Sequence, residues 1–290
     1  MAEALSALAG IERGDAVIGR FPNGELHVEL GTVPAGRDCI VLGAVAPPDE
    51  RLLSTLLLSH TLKKEGAAAI SAVLPYLGYA RHDRAEAGKS RAAAWLGEVL
   101  RASGVNGVMA IDVHSTLIHD IFPIPVLSVS PSPLFAAEIA KLPLEDPVIV
   151  APDEGALERC EAVRQTAGIR RPLAYFTKTR TPDGVRHSLL HGAVGQEAVL
   201  VDDILDTGAT LVSAAASLQQ AGVRNIVVMA THGLYTGSAW ERLWSLGVSR
   251  MYCTDSTALR EPLSSKPITV LPVAPLLADA LRAVPSERRR

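Results

Sequence analysis

Residues 198–210, AVLVDDILDTGAT, decide the fold of this 290-residue chain. The first four are apolar and predict a buried strand, with two consecutive acids at its carboxyl end. Ligands bind at that end of the strands in an open α/β sheet. The residues from Thr207 onward open a helix, whose N-terminus offers backbone N–H groups and a positive dipole end to a phosphate. The stretch therefore predicts a strand–loop–helix unit with an anion site at its turn.

The acids of the same stretch indicate what the anion is attached to. Carboxylates cannot bind the phosphate itself, but they accept hydrogen bonds from sugar hydroxyls or hold Mg²⁺. Gly208 and Ala209 are small enough to keep the loop close to the anion. A plain acidic N-cap is the simpler alternative, but it leaves the second acid unexplained. We therefore predict a site for a phosphorylated sugar, formed by Asp202, Asp203, Asp206, Thr207, Gly208, Ala209 and Thr210.

The rest of the chain repeats the alternation of short apolar runs and helical patterns. A strand pattern at 68–75 follows a helical pattern at 49–65, and the alternation restarts after residue 143. Strands separated by helices of this kind imply mainly parallel sheets. We expect two domains of similar layout, residues 1–143 and 144–290, and leave open that the extreme C-terminus packs back on the first. The polar stretch 178–196 predicts a mobile loop or flap.

Composition excludes several classes of protein. The net charge of −3 argues against a nucleic-acid partner, since such proteins usually carry a basic excess. The three cysteines are too far apart for a disulfide framework or a CxxC metal site. The first ten residues lack a basic signal region, and no apolar run approaches the roughly 18 residues of a membrane span. We therefore expect a cytoplasmic protein with no membrane partner.

Five further segments carry groups that suit an anionic nucleotide. Each also has a structural explanation: a turn between strands, a solvated loop, a histidine at a strand end, a helix N-cap, or mere surface charge. Arg81 offers a planar donor fork for phosphate, and Lys178 and Arg180 alternate along an extended segment and so point to one side. The segments are FPNGE (21–25), PYLGYARHDR (75–84), IDVH (111–114), APDEGA (151–156) and KTR (178–180).

In this order and spacing, the segments resemble the ribose-phosphate diphosphokinase (phosphoribosyl diphosphate synthetase) family over most of the chain. The resemblance implies two duplicated phosphoribosyltransferase-like domains, each a mainly parallel sheet flanked by helices. It departs at Asn23, His82 and Ala156, where the family has an acid, a Gln and a Gly. The resemblance implies ATP binding by Asn23, Gly24, Glu25, Arg81, His82, Asp83 and His114, and metal binding by His114 and Asp153. It implies ribose 5-phosphate binding by Arg180 together with Asp202, Asp203, Asp206, Thr207, Gly208, Ala209 and Thr210. It implies catalysis by Lys178 and Arg180.

The implied reaction transfers the β,γ-diphosphate of Mg-ATP to the anomeric hydroxyl of ribose 5-phosphate, giving phosphoribosyl diphosphate and AMP. The resemblance implies Mg²⁺ as cofactor and a homo-oligomer, a dimer or larger. A phosphoribosyltransferase would share the 198–210 stretch but not the N-terminal segments. A non-catalytic regulatory homologue is a second alternative, although Lys178, Arg180, His114 and Asp153 are all present.

Overall fold

The structure is a computed structural model of the chain. It describes residues 1–180, 186–258 and 267–283, with the side chains of 178–180 and 186–188 excluded.

The N-terminal part of the chain forms a parallel sheet and a separate hairpin. Strands β3, β4, β5 and β6 lie side by side in that order, and all three pairs are parallel. Strands β1 and β2 form an antiparallel pair of their own. The elements are α1 (Ala2–Ala9), β1 (Ala16–Arg20), β2 (Leu26–Leu30), β3 (Asp38–Leu42), α2 (Glu50–Lys64), β4 (Ala69–Val73), α3 (Ala92–Ala102), β5 (Gly107–Ile111), α4 (Ile118–Ile121) and β6 (Val126–Val129).

The second part of the chain forms a seven-stranded sheet, in the order β13-β12-β11-β10-β7-β8-β9. All of its pairs are parallel except β8 with β9. The elements are α5 (Ser132–Ile139), β7 (Val148–Ala151), a 3-10 helix (Glu154–Ala156), α6 (Leu157–Thr166), β8 (Ala174–Arg180), β9 (Arg186–His191), β10 (Glu197–Leu205), α7 (Ala209–Gln220), β11 (Asn225–Gly233), a second 3-10 helix (Ala239–Leu246), β12 (Val248–Thr254), β13 (Ile268–Leu271) and α8 (Ala274–Ala283). Mainly parallel sheets flanked by helices confirm the predicted fold class.

Strand β10 separates two cores because its side chains alternate between the faces of the sheet. Leu200 packs with residues of α7 such as Leu211 on one face. Val201 packs with residues of α6 such as Cys160 on the other. All four side chains are buried.

The chain divides into two compact units, residues 1–129 with 273–290, and residues 130–272. The division comes before α5, whereas the sequence pattern suggests a division near residue 143. Helix α5 belongs with the second unit because Phe135 and Ile139 are buried against α6 residues such as Val163. Helix α8 belongs with the first unit, where Leu277 and Leu281 are buried.

The polar stretch 178–196 contains more strand than the sequence predicts. Strand β8 runs on to Arg180, and β9 pairs with it in antiparallel register from Arg186↔Arg180 to His191↔Tyr175. Cross-strand backbone pairing can hold a polar segment extended, and composition alone does not reveal it. Residues 181–185, the centre of the predicted flap, lie outside the described residues.

Within the ranges that the structure describes, we find no helix long and apolar enough to span a lipid bilayer.

Candidate active site

The acid pair lies inside strand β10 rather than after it. The apolar run ends at Val201, but β10 continues to Leu205 because β11 pairs with it as far as Gly233. Asp202 and Asp203 keep 8% and 6% of their surface exposed, so both carboxyl groups are largely removed from water. Burying two adjacent acids is costly unless neighbouring groups compensate.

Arg159 of helix α6 supplies part of that compensation. Its Nη2 lies 3.7 Å from Oδ2 of Asp203, and its side chain is 10% exposed. The Asp203 backbone N–H also donates to Oδ1 of Asp202 at 3.0 Å. Burial first, and the charge of Asp203 second, raise the pKa of Asp202 well above its usual range, while Arg159 opposes the rise. The sequence gives no distinctive signal for this arginine, because nothing in its local pattern shows that α6 faces Asp203.

The loop after β10 has the shape predicted for an anion site. Gly208 is the N-cap of α7 with φ 79°, and the N–H of Val212 donates to its carbonyl at 2.8 Å. An α-helix leaves the N–H groups of its first turn without intrahelical partners, and here that turn begins at Ala209. Thr207 and Ala209 are exposed, and Asp206 and Thr210 are half-buried. The loop can therefore present amides and hydroxyls to an anion.

Gly208 cannot be replaced without moving the backbone. A Cβ at this position would lie 2.6 Å from Cβ and 2.8 Å from Cα of Trp240. The positive φ independently favours glycine.

Asp153 lies at the same edge of the second sheet as the acid pair. It follows β7, which pairs in parallel with β10, so the carboxyl ends of the two strands meet there. The charge of Asp153 contributes to the raised pKa of Asp202. Among the described residues, the Asp153 side chain makes no capping hydrogen bond to the 3-10 helix that follows, which weakens the purely structural N-cap explanation. The neighbouring Ala156 is 1% exposed, and its methyl group fills core space beside α6.

In the first unit, residues 21–25 form the turn of the β1–β2 hairpin. The N–H of Phe21 donates to the carbonyl of Glu25 at 2.9 Å, and Gly24 has φ 91°. The Asn23 amide donates to Oε2 of Glu25 at 2.9 Å. Asn23, Gly24 and Glu25 are exposed, and so is Phe21. The turn explains the Asn-Gly pair structurally and leaves its polar groups facing solvent.

Residues 75–84 form the loop that follows β4. Arg81 and His82 are exposed, whereas Asp83 is only 8% exposed. Tyr79 has φ 64°, and its hydroxyl donates to Oδ1 of Asp49 at 2.6 Å, which ties the loop to the start of α2. The loop is therefore structured around Tyr79, with its cations on the surface.

Asp112 and His114 follow β5, which ends at Ile111. The sequence predicts that they alternate along a strand, but Asp112 instead has φ 46° and turns the backbone. Its N–H donates to the carbonyl of Val129 at 2.9 Å, and its side chain is buried. His114 is exposed.

The remaining predicted site residues are described in part. Lys178 and Arg180 lie near the end of strand β8, where they pair with Ser188 and Arg186 of β9. Their side chains lie outside the described part of the chain. Across the described ranges, no group of three or more His, Cys, Asp or Glu side chains is arranged to hold a metal ion. The second unit thus brings together Asp153, Arg159, the acid pair and the loop 206–210; His114 and the segments 21–25 and 75–84 belong to the first unit.

Comparison with known proteins supports the resemblance over nearly the whole chain. Residues 1–104 match the model described as the N-terminal domain of ribose phosphate pyrophosphokinase, and residues 177–288 match the phosphoribosyl synthetase-associated domain. A ribose-phosphate pyrophosphokinase from Thermosipho africanus is 34% identical over 96% of this chain and 88% of its own. One from Thermotoga maritima is 32% identical over 98% and 91%.

A solved structure agrees with these relatives. The phosphoribosylpyrophosphate synthetase from Mycobacterium smegmatis superposes with a TM-score of 0.87 at 29% identity, covering 97% of this chain and 94% of that one. With relatives of this identity along almost its full length, the chain belongs to the ribose-phosphate pyrophosphokinase family.

Proposed function

We propose that this protein is a cytoplasmic enzyme that transfers the β,γ-diphosphate of Mg-ATP to the anomeric hydroxyl of ribose 5-phosphate, giving phosphoribosyl diphosphate and AMP. The observation that carries the proposal is the buried acid pair of β10, placed directly before a glycine-capped helix N-terminus. Few structural needs explain two adjacent buried carboxylates, whereas a pentose phosphate needs hydroxyl acceptors and amide donors at this spacing.

In this proposal the sugar substrate binds to the second unit. The phosphate of ribose 5-phosphate takes the N–H and hydroxyl groups of Thr207, Gly208, Ala209 and Thr210. The carboxyl groups of Asp202, Asp203 and Asp206 receive the sugar hydroxyls. Because the pKa of Asp202 is raised, this carboxyl group can accept a proton more readily than an exposed one and can donate as well as accept. The positively charged guanidinium of Arg180 would pair with the phosphate.

Following the resemblance, the nucleotide is assigned to segments of the first unit. Asn23, Gly24, Glu25, Arg81, His82 and Asp83 would orient the base, ribose and phosphates, and His114 and Asp153 would hold Mg²⁺. Magnesium in nucleotide sites takes one or two carboxylates and completes its shell with phosphate oxygens and water, so the Asp153 carboxylate at the carboxyl end of β7 suits it. When bound, it neutralises charge on the phosphates.

Lys178 and Arg180 are proposed to stabilise the charge that moves onto the transferred group and the leaving AMP. Phosphoryl-type transfer asks the protein mainly for positioning and for charge neutralisation. Removing one preorganised donor typically costs about 10²–10³ in rate. We therefore expect Lys178→Ala to lower kcat by at least about 10²-fold while the protein stays folded.

The control for that variant is Lys141→Ala. Lys141 is exposed, lies outside the proposed site and forms an ion pair with the neighbouring Glu138. Steady-state AMP release and a circular dichroism spectrum measure both variants. Wild-type turnover in Lys178→Ala would contradict the assigned role.

The activity itself is tested by incubating the protein with ATP, Mg²⁺ and ribose 5-phosphate, with no nucleobase, and measuring AMP by chromatography. AMP formation that depends on ribose 5-phosphate supports the proposal. Consumption of phosphoribosyl diphosphate with a nucleobase, without AMP from ATP, would identify a phosphoribosyltransferase instead. Nucleotide binding without turnover would identify a regulatory homologue. Assays with a panel of nucleoside triphosphates then identify the preferred diphosphate donor. This preference is tested because Asn23 and His82, both assigned to nucleotide binding, differ from the family's residues.

We also propose that the enzyme acts as a homo-oligomer, a dimer or larger. The β1–β2 hairpin exposes Val17, Ile18 and Phe21, at 55%, 46% and 53% of their surface. Exposed apolar side chains on such a hairpin suit a contact with a second copy. Sedimentation velocity measures the assembly; a purely monomeric species with full activity would contradict it.

A further inference from the structure

A second loop supports the proposed phosphate loop from behind. The segment after β11, residues 234–240, folds back on the end of β10. The N–H groups of Leu234 and Tyr235 both donate to the carbonyl of Leu205, at 2.8 and 3.1 Å. The N–H of Thr236 donates to the carbonyl of Asp206 at 3.1 Å. Three consecutive amides of the segment 234–240 therefore bind the carbonyls of Leu205 and Asp206, where the phosphate loop begins.

Two aromatic side chains complete the contact. Tyr235 and Trp240 are 6% and 3% exposed, and their rings meet edge to face with centroids 4.9 Å apart. The Trp240 indole N–H donates to the carbonyl of Gly237 at 3.0 Å, which fixes the ring. The backbone of Gly208 lies directly against Trp240, so close that even a methyl group would not fit between them.

Tyr235 is held in an unusual backbone conformation. Its φ is 49°, which is uncommon for a bulky residue and persists only where the surroundings enforce it. Its ring belongs to the core that also contains Leu205 and Leu211, at the two ends of the phosphate loop. The strained residue thus lies where the segment 234–240 contacts the start of the phosphate loop.

We infer that Tyr235 and Trp240 are positioning residues that hold the loop 206–210 in its anion-binding shape before the substrate arrives. This inference rests on the proposed function, because it takes ribose 5-phosphate as the anion. Neither side chain needs to touch the substrate. Both act through the backbone of Leu205, Asp206 and Gly208.

The expected kinetic signature is selective. A loop that must be ordered during binding captures its ligand more weakly, since the ordering cost is subtracted from the affinity. The phosphate is held in the ground state and in the transition state alike, so the loss is uniform binding and raises KM without lowering kcat. The nucleotide is proposed to bind elsewhere. Loss of Trp240 should therefore raise KM for ribose 5-phosphate by about tenfold or more, with kcat and KM for ATP changed by less than about threefold.

The experiment compares Trp240→Ala, Trp240→Phe and Trp244→Ala in the full-length protein. Trp244 is a matched control, because it belongs to the same 3-10 helix and packs against the same core, four residues beyond the contact with Gly208. Trp240→Phe keeps an aromatic ring and should recover most of the affinity. Each variant receives full kinetics with both substrates and hydrogen exchange without ligand, followed in peptides covering 205–212 and 234–237.

The exchange measurement is independent of catalysis. Trp240→Ala should speed exchange in those two peptides while the β10 and β11 amides stay protected, and Trp244→Ala should leave the two peptides as in the wild type. Unchanged exchange in Trp240→Ala would show that Trp240 does not hold the loop 206–210 in place. Faster exchange with an unchanged KM for ribose 5-phosphate, or a fall in kcat alone, overturns the positioning role. If the wild-type protein forms no AMP, the proposed function is refuted. If Trp240→Ala still speeds exchange in the two peptides in that case, the structural role of Trp240 in holding the loop is retained.

Discussion

At the scale of single residues, Asp202 shows a conflict between stability and binding. Its carboxyl group is buried beside Asp203, and both burial and that charge favour its protonated form. A folded-state pKa above the ordinary 3.8 means that the folded protein holds a proton that the unfolded chain releases. The stability linked to that proton is fully present below pH 3.8 and is lost as the pH rises through the raised pKa of Asp202.

We therefore predict that Asp202→Asn stabilises the ligand-free protein at neutral pH, by about 1 kcal/mol, because the amide carries no charge to bury. The same variant should lose ribose 5-phosphate turnover. Urea unfolding at several pH values checks the first part. The variant should exceed the wild type most at neutral pH, and the two curves should converge as the pH falls toward 3.8. A destabilised variant at pH 7 would contradict this account.

At the scale of elements, Arg159 links helix α6 to strand β10. Its guanidinium lies 3.7 Å from Oδ2 of Asp203, and its charge lowers the pKa of Asp202, which burial raises. Removing one partner from a buried charge pair leaves the other charge uncompensated.

Arg159→Ala should therefore lower the free energy of unfolding by about 3 kcal/mol at neutral pH, and by less at acidic pH, where the carboxyl groups take up protons. Urea denaturation measures the loss. Arg164→Ala, on the same helix, is the comparison: its pair with Glu161 is partly exposed, and we expect a clearly smaller loss than for Arg159→Ala. Equal losses in the two variants would argue against a special role for Arg159.

The elements themselves follow well from the sequence where the signal is local. The helical pattern at 49–65 becomes α2, Glu50–Lys64, because its leucines and the glycine that follows it are local features. The strand pattern at 68–75 becomes β4, Ala69–Val73. The predictions are less accurate where pairing extends a strand: β10 runs on through two acids because β11 pairs with them.

The candidate site follows the same rule. The acid pair, the glycine cap and Asp153 stand out because each sits in a short local pattern. Arg159, Tyr235 and Trp240 do not, since their importance comes from segments that meet only after folding. The segment 234–240, which contacts the phosphate loop, is separated from it in sequence by the whole of α7 and β11.

At the scale of the whole molecule, the first unit is built from both ends of the chain. Leu277 of α8 is fully buried in a core with Leu5 of α1 and with Val73, Met109 and Ile111 of the parallel sheet. We predict that Leu277→Ala destabilises this unit by about 2–5 kcal/mol, since it removes a fully buried leucine from a closed core.

Hydrogen exchange locates that effect. Amides of β4 and β5 should exchange faster in Leu277→Ala, while those of β11 keep their wild-type protection. Leu218→Ala, at a buried position of α7, is the matched variant for the second unit and should give the opposite pattern. Equal acceleration of both units by Leu277→Ala would show that they unfold together.

The position of α8 also sets the order of events on the ribosome. When Val129 has been added, the sheet of the first unit is made, yet the helix that covers one of its faces lies beyond residues 130–272. At about 5–20 residues per second, translation of that insertion takes roughly 7–30 s. Through that interval, Val73, Met109 and Ile111 lack their final cover, and a nascent-chain chaperone has an apolar surface to bind. The half of the protein that is synthesised first therefore cannot complete its core until the other half has been synthesised.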